Sequence, residues 1–501
     1  MNAMQFSLSY QTPPAADALL VPFAKLPDMD PALAPLAEAT GIPAVFIKAG
    51  FKAGLNDLHT LYFTEKGQNK RIFLLGLGES PRSVDIINAF RSFVFKQKND
   101  LPANLAVSFL HGNAPDDPAP WIEAAVNGML LGGYDIGLYK TDKKTEQPTQ
   151  NGDARITIFT AKQHIGPAGK AVEKGRATAA TQLEVFDLVN APANKKTPRT
   201  LADWAVRSGS RYGYTAQVFD KKEIERLGFH ALLAVSRGSE EPPTFIVTEY
   251  LPKDKKPLKK IALVGKGVTY DTGGLSIKPS ANMYYMKTDM GGAAAVLGAV
   301  ELVAKLQLPF HLVGIIPATE NSVDALSVRP GDVIGSYNGK TIEVVDTDAE
   351  GRLILADGLS YAIRQFKPDL LIDIATLTGS CIRTLGMYAG GLFSNNDALA
   401  AQLLRAADKT GERLWQFPLW DDYNKELKSD IADIKNFSGN PSAGAITAAK
   451  FLEAFIEKHP AWAHLDIAGV AVGDAAFSSQ KSATAYGVRL FVEFMESMMT
   501  E

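Results

Sequence analysis

The chain has 501 residues but only one cysteine, Cys381. No intramolecular disulfide can form, which fits a reducing compartment. The thiol has no evident histidine partner and reads as a small buried apolar residue rather than a nucleophile. Charge of one sign is also lacking. The 52 Lys+Arg nearly balance the 55 Asp+Glu, for a net charge of -3. That excludes a global electrostatic case for nucleic acid or an anionic membrane. Long apolar runs are missing too. The most apolar helical stretch, AAAVLGAVELVAKL, is broken by Glu301 and Lys305. No segment reaches the roughly 18 apolar residues that a membrane span needs. The start, MNAMQFSLSYQTPPAADALL, has no basic opening and no sustained apolar core, so it does not read as a signal peptide. A cytoplasmic protein is expected.

Several catalytic signatures are absent as well. RIFLLGLGES offers Gly76 and Gly78, but a dinucleotide fingerprint needs a third glycine where Pro81 stands. This reads as a tight turn between a strand and a helix. There is no GxxxxGK[ST] phosphate loop and no G-x-S-x-G nucleophile elbow. The seven histidines (59, 111, 164, 230, 311, 459 and 464) are scattered and no HExxH occurs, which argues against a histidine-rich zinc site.

What is there is ordinary globular material, 46% apolar and 21% charged. The length is a prior for two or three domains. A first block, 1–165, carries the apolar runs 71–78 and 105–110 around an amphipathic helix at 83–97. A polar stretch at 140–154 reads as an exposed loop. A junction at 166–198 holds a linker helix, 176–190, and the turn APANKKTP. The second block, 199–501, alternates strands at 260–265, 311–317, 341–346, 370–375 and 463–469 with helices at 291–306, 350–366 and 443–458. This rhythm predicts an α/β fold of two domains, each a mixed or largely parallel sheet flanked by helices. In such sheets, ligands bind beyond the carboxyl ends of the strands.

Four acids fall where strands of the second block end. Asp271 lies in GKGVTYDTGG, Asp289 in KTDMGG, and Asp348 and Glu350 in VVDTDAEGRL. In an extended stretch, residues two apart share a side, so Asp348 and Glu350 are expected to face one site. Four carboxylates in a dry cleft repel, and two divalent cations would cancel their charge. Paired metals bridged by carboxylates suit hydrolytic activation of water. Oxygen ligands favour Mg or Mn, with Zn and Co remaining open. Lys266, Lys278 and Arg352 accompany the acids. Beside dications a lysine can ligate as a neutral amine, or it can stay charged and stabilise an oxyanion. An arginine can hold a small anion in a bidentate grip. Taken singly, each Asp reads as a helix N-cap or turn residue, Asp289 above all. The glycine pairs 273–274 and 291–292 favour close backbone approach to a ligand.

At these residues the chain resembles the leucyl (cytosol) aminopeptidases, a metallopeptidase family. DTDAEGRL at 346–353 is similar to the signature octapeptide N-T-D-A-E-G-R-L. The stretch 265–296, GKGVTYDTGGLSIKPSANMYYMKTDMGGAAAV, matches the family's other metal-site segment with its spacing intact. ATLTGS (375–380), SDIADIKN (429–436), AGAITAAKFL (443–452), WAHLDIAG (462–469) and LVNAPANKKTP (188–198) also look like family segments. The resemblance covers roughly 188–501, and over 1–165 only the size is compatible.

The resemblance implies two α/β domains, the larger C-terminal one catalytic, and an aminopeptidase acting on peptide substrates. Leu, Met or other apolar N-terminal residues are expected. It implies two divalent ions per subunit, Mn2+ or Zn2+. One would be held by Lys266, Asp271, Asp289 and Glu350, the other by Asp271, Asp348 and Glu350 with the Asp348 carbonyl. Lys278 would be the electrophile on the scissile carbonyl. Arg352 would hold a bicarbonate serving as general base for a metal-bridged water. Met286, Thr376, Leu377, Gly379 and Ala468 would line the first side-chain pocket or the adjacent peptide backbone. Asp289 would also receive the substrate amine. A homo-hexamer is implied. Two positions depart from the family: Asp346 replaces the signature Asn, and Ala471 stands where a bulkier apolar residue is common, which predicts a roomier pocket.

Two other functions compete with this one. A nucleic-acid-binding regulator has only KKPLKK (255–260) and KTDKK (140–144) as local support, and such runs are usually solvated loops. A two-metal phosphoesterase is disfavoured by the lysine ligand and the scarcity of histidine.

Overall fold

The alternation of short apolar runs and amphipathic stretches folds as α/β layers in the computed structural model, which describes residues 4–11, 16–65, 68–141, 154–253, 256–473, 476–478 and 480–499. The helix expected from 176 runs Ile165–Asn190, and the chain divides within it into the units Met1–Leu183 and Glu184–Glu501. Most of the polar stretch 140–154 lies outside the described residues. So do 142–144 and residue 255 of the two lysine-rich runs.

The first unit holds β1 (Gln5–Ser9), β2 (Ala18–Phe23), β3 (Leu58–Glu65), β4 (Gln68–Gly76), β5 (Asn104–Ser108) and β6 (Arg155–Phe159). They form one sheet in the order β1-β6-β5-β2-β4-β3, parallel except for the β3–β4 hairpin. The helix Ser83–Gln97 buries Ile86, Ile87, Ala89, Phe90, Phe93 and Val94, a helical-period face. Phe93 meets Phe73 of β4 edge-on at 5.1 Å.

In the second unit, β7 (Thr215–Phe219), β8 (Thr244–Tyr250), β9 (Lys260–Gly265), β10 (Gly267–Asp271) and β11 (His311–Asn321) come first. The short strands β12 (Val333–Ile334) and β13 (Ile342–Glu343) follow, then β14 (Leu370–Ala375), β15 (Gly390–Ser394), β16 (Leu414–Gln416), β17 (Ile434–Lys435) and β18 (Trp462–Asp466). The large sheet runs β16-β15-β18-β14-β9-β11-β8-β7, with β10 added beside β11. Its centre, β18-β14-β9-β11, is parallel, whereas β15, β8 and β7 are joined antiparallel. The sheet is therefore mixed, with its parallel strands in the middle.

Central parallel strands are covered on both faces, which explains their near-continuous apolar sequences. Ala262 and Val264 of β9 share a buried cluster with Val313 and Ile315 of β11 and with Leu355 and Leu359 of the helix Gly351–Phe366. The helix Gly291–Leu306 packs on the same strands and against the helices Pro198–Tyr212 and Val488–Ser497. Burial of residues 291–304 all round that helix matches its unbroken run of small and aliphatic side chains.

Candidate active site

The strands β9, β10, β14 and β18 lead to one cavity of about 560 Å³. β9 ends at Gly265 and delivers Lys266, and β10 ends on Asp271 itself. β14 ends at Ala375 and leads to Thr376, Leu377 and Gly379, while β18 ends at Asp466 just before Ala468. Among the expected site residues, Lys266, Asp271, Lys278, Met286, Asp289, Asp348, Arg352, Thr376, Leu377, Gly379 and Ala468 line the cavity. Glu350 is 2% exposed and sits behind the wall, facing Lys266.

Two ion-pair groups organise the floor. Lys266 Nζ lies 2.6 Å from Asp289 Oδ2 and 2.8 Å from Glu350 Oε1, and donates to the Thr376 carbonyl at 3.0 Å. Lys278 Nζ lies 2.7 Å from Asp271 Oδ2 and pairs closely with Asp348. Asp271, Asp348 and Glu350 each bring a carboxylate oxygen within 4.8 Å of the others.

The extended-strand expectation for 341–346 is corrected here. Only Ile342–Glu343 is a strand, and it belongs to the small sheet β12-β13-β17. Asp348 lies in a turn with Thr347, and Glu350 already has helical φ -82° and ψ -34° as it caps Gly351–Phe366. Asp346 Oδ1 accepts the Asp348 N–H at 2.8 Å, an Asx turn that reverses the chain. A turn running into a helix therefore brings Asp348 and Glu350 together, where strand alternation was expected to do so.

Asp289 is not the cap of its helix. Met290 holds that place, while Asp289 accepts the Thr376 hydroxyl at 2.7 Å and faces Lys266. One glycine of each pair has a packing role. Gly273 has φ +89°, and a Cβ there would meet Ser276 O at 2.5 Å and Asp348 Oδ1 at 2.9 Å, so it serves the tight turn after Asp271. A Cβ on Gly292 would stand 2.0 Å from Ile374 O, so this glycine lets the helix touch β14.

The supporting residues are not singled out in the sequence, although all but Asn321 fall within the family-like segments. Asn321 at the end of β11 donates to Asp271 Oδ1 at 2.8 Å and to Thr347 O at 3.1 Å. Asn436 pins the signature turn: it accepts from Val345 N at 2.8 Å, donates to Asp346 O at 2.6 Å, and its carbonyl takes Arg352 Nη1 at 2.8 Å. Asp466 accepts the Thr378 hydroxyl at 2.6 Å and the Leu377 and Ala468 N–H groups at 3.2 Å. Two lysines clamp the turn Met283–Thr288: buried Lys196 donates to the Lys287 carbonyl, and Lys287 Nζ donates to Asn190 O at 2.8 Å. Apart from Asp466 and Ala468, these partners lie 26 to 97 positions apart, so no local pattern joins them.

Four carboxyl groups face two ammonium groups, so full ionisation would leave two negative charges uncompensated at a buried floor. Burial pushes the Asp289 carboxyl up to about 8, with Asp271 and Glu350 adding to it against Lys266. Burial likewise pushes Asp348 up to about 7 and raises Glu350. Burial by itself would lower both lysines, yet the surrounding carboxylates raise Lys266 and Lys278 above the ordinary lysine range. Asp289 Oδ2 and Glu350 Oε1 are buried without a well-directed hydrogen bond, although Lys266 is within ion-pair distance of both. An oxygen-rich, over-charged, under-bonded floor fits divalent cations. Among the described residues, no histidine lines it.

Cys381 is 1% exposed in a small cluster with Phe393, Ala445 and Ala449, and burial raises its thiol pKa, the opposite of a nucleophile's need. No helix among the described residues is long and apolar enough to cross a membrane.

Residues 185–492 match the catalytic domain of the cytosol aminopeptidase family. A probable cytosol aminopeptidase of Chloroherpeton thalassium is 43% identical over 96% of this chain and 97% of its own length. One from Syntrophotalea carbinolica is 45% identical over 85% of each chain. Among solved structures, the bottromycin maturation enzyme BotP in complex with Mn is 31% identical, with a TM-score of 0.83 over 97% of this chain and 100% of its own. A parallel-centred α/β sheet, a buried acid-and-lysine floor and these likenesses together establish that the chain belongs to the cytosol aminopeptidase family, and is a metallo-aminopeptidase.

Proposed function

We propose that the enzyme removes apolar N-terminal residues, Leu or Met among them, from peptides with the help of two divalent ions, Mn2+ or Zn2+. The observation that carries this reading is the floor of four carboxylates interleaved with two lysines at the strand ends. Lys266, Asp271, Asp289 and Glu350 would hold one ion. Asp271, Asp348 and Glu350 would hold the other, with the Asp348 carbonyl. When bound, the ions would activate water and polarise the scissile carbonyl. The related BotP enzyme was solved in complex with Mn, which supports Mn2+ as one choice.

The chain's own groups divide the remaining work. Lys266 would give up its proton to ligate, which its burial favours once dications neutralise the carboxylates. Lys278 would then be freed from Asp271 and Asp348 to stabilise the oxyanion. Asp289 would receive the free amine of the substrate, restricting cleavage to the N-terminus. Arg352 lines the cavity, and its buried Nε has no hydrogen-bond partner among the described residues. That supports its holding a small anion, and bicarbonate there would accept a proton as general base. Met286, Thr376, Leu377, Gly379 and Ala468 would bound the first side-chain pocket and the adjacent peptide, and Ala471 would leave it wider. A homo-hexamer in the cytosol completes the reading, the location alone being supported by the relatives' name; nucleic acid has no role in it.

The test is restoration after chelation. Adding Mn2+ or Zn2+ to metal-stripped protein should restore release of anilide from Leu- and Met-anilides, with two ions bound per chain. N-acetyl-Leu-anilide should stay intact. Cleavage of the acetylated substrate, or activity that ignores metal, would overturn the proposal. Light scattering should give six chains per particle.

A further inference from the structure

We propose that Arg383 reads a carboxylate on the substrate at the rim of the catalytic cavity. The inference rests on the aminopeptidase reading and adds a charge preference to it.

Four cations line the cavity: Lys266, Lys278, Arg352 and Arg383. Three are engaged. Lys266 and Lys278 are held by the floor carboxylates, and Arg352 is buried and donates to Asn436. Arg383, on the helix Gly379–Leu385, is exposed. No described residue offers its guanidinium a hydrogen bond or ion pair. The side chain does not simply reach away into solvent. One guanidinium nitrogen folds back one turn and lies 3.4 Å from where a Cβ on Gly379 would stand. Gly379 is itself a wall residue of the cavity, so the cation is laid along that wall.

The lining acids do not compete for it. Asp271 and Asp348 face Lys278, Asp289 faces Lys266, and Asp346 Oδ1 is bonded to the Asp348 N–H. The cavity thus has an acidic floor suited to an amine, and near its wall a cation that no described residue engages. A guanidinium matches a carboxylate in bidentate geometry. Gly379, Ser380, Gly444 and Ala468, all small, line the same cavity. The carboxylate can come from two sources: an acidic side chain on the N-terminal residue, or the free C-terminus of a dipeptide.

The Mn2+-loaded full chain and its Arg383→Gln, Arg383→Lys and Arg383→Glu variants decide the matter. Glu-anilide is compared with Gln-anilide, and Leu-Gly with Leu-Gly-amide. Arg383→Gln should lower kcat/KM for the carboxylate-bearing member of one pair by about fivefold, the size of a partly exposed ion pair, and leave its neutral analogue unchanged. Arg383→Lys should restore part of the loss, and Arg383→Glu should deepen it. The pair that responds identifies the source. Equal effects on charged and neutral members of both pairs would overturn the proposal. Failure of the wild type to cleave any of these substrates would overturn the aminopeptidase reading instead, and is seen before any variant is made.

Discussion

The two lysine–carboxylate groups of the floor are alike in chemistry and different in access. The side chains of Lys266, Asp289 and Glu350 are 4%, 9% and 2% exposed. In the other group Asp271 is 3% exposed, but Lys278 and Asp348 are 20% and 34%. A sealed lysine gains most from giving up its charge and becoming a ligand. A lysine at the cavity surface can keep its charge and meet a substrate oxygen. On the proposed roles, this difference in burial would set the same residue type to two tasks.

The largest effect should come from Asp271, the partner of Lys278 that is proposed to hold both ions. Asp271→Ala is expected to lower kcat for Leu-anilide by roughly 100-fold or more and cut bound metal below two per chain by elemental analysis. A full complement of metal with full activity would dissolve the comparison. Next come the lysines themselves. Lys278→Ala should lose about 100-fold in kcat while keeping its metal, whereas Lys266→Met should lose metal affinity. If the two variants exchange these phenotypes, the division by burial is wrong.

A smaller effect is expected at Lys196→Met, which removes the donor to the Lys287 carbonyl between Met286 and Asp289. Loosening that turn should raise KM for Leu-anilide by about 10-fold with metal content unchanged, the low end for lost supporting contacts. Unchanged kinetics would show that the clamp does not position the pocket.

The smallest effect is in stability against pH. Asp289 and Asp348 have folded values of about 8 and 7 against an ordinary 3.8. A raised carboxyl stabilises the fold below its unfolded value and loses that contribution as pH rises through the folded value. Metal-stripped protein should therefore lose Tm between about pH 4 and 8. The two lysines, raised, stay charged across that window and do not offset the loss. Added Mn2+ should flatten the slope. A Tm that climbs from pH 6 to 8 without metal would contradict the raised carboxyls.

Much of the fold was readable because its signals are local. The helices 83–97 and 291–306 have the bounds that periodicity indicates, and strands 260–265 and 370–375 match their apolar runs. Strands Thr215–Phe219 and Gly390–Ser394 carry too little apolar length to announce themselves, and they are fixed by antiparallel pairing with β8 and β18. Strand 341–346 reads well locally, yet only two residues of it pair, because Asp346 and Asn436 bend the chain away from a ladder.

By itself, the sequence determined which chemistry was available: one buried thiol, no histidine pair, and acids, lysines and glycines at spacings that resemble a metallopeptidase family. Composition and local pattern suffice for that, since residue type sets charge and donor atoms. Only the tertiary structure decided which lysine is sealed and which is open, that a turn rather than a strand joins Asp348 to Glu350, and that no described residue pairs with Arg383 at the cavity wall. Those properties depend on burial and on contacts between residues far apart in the chain, and both arise only when the sheet is assembled.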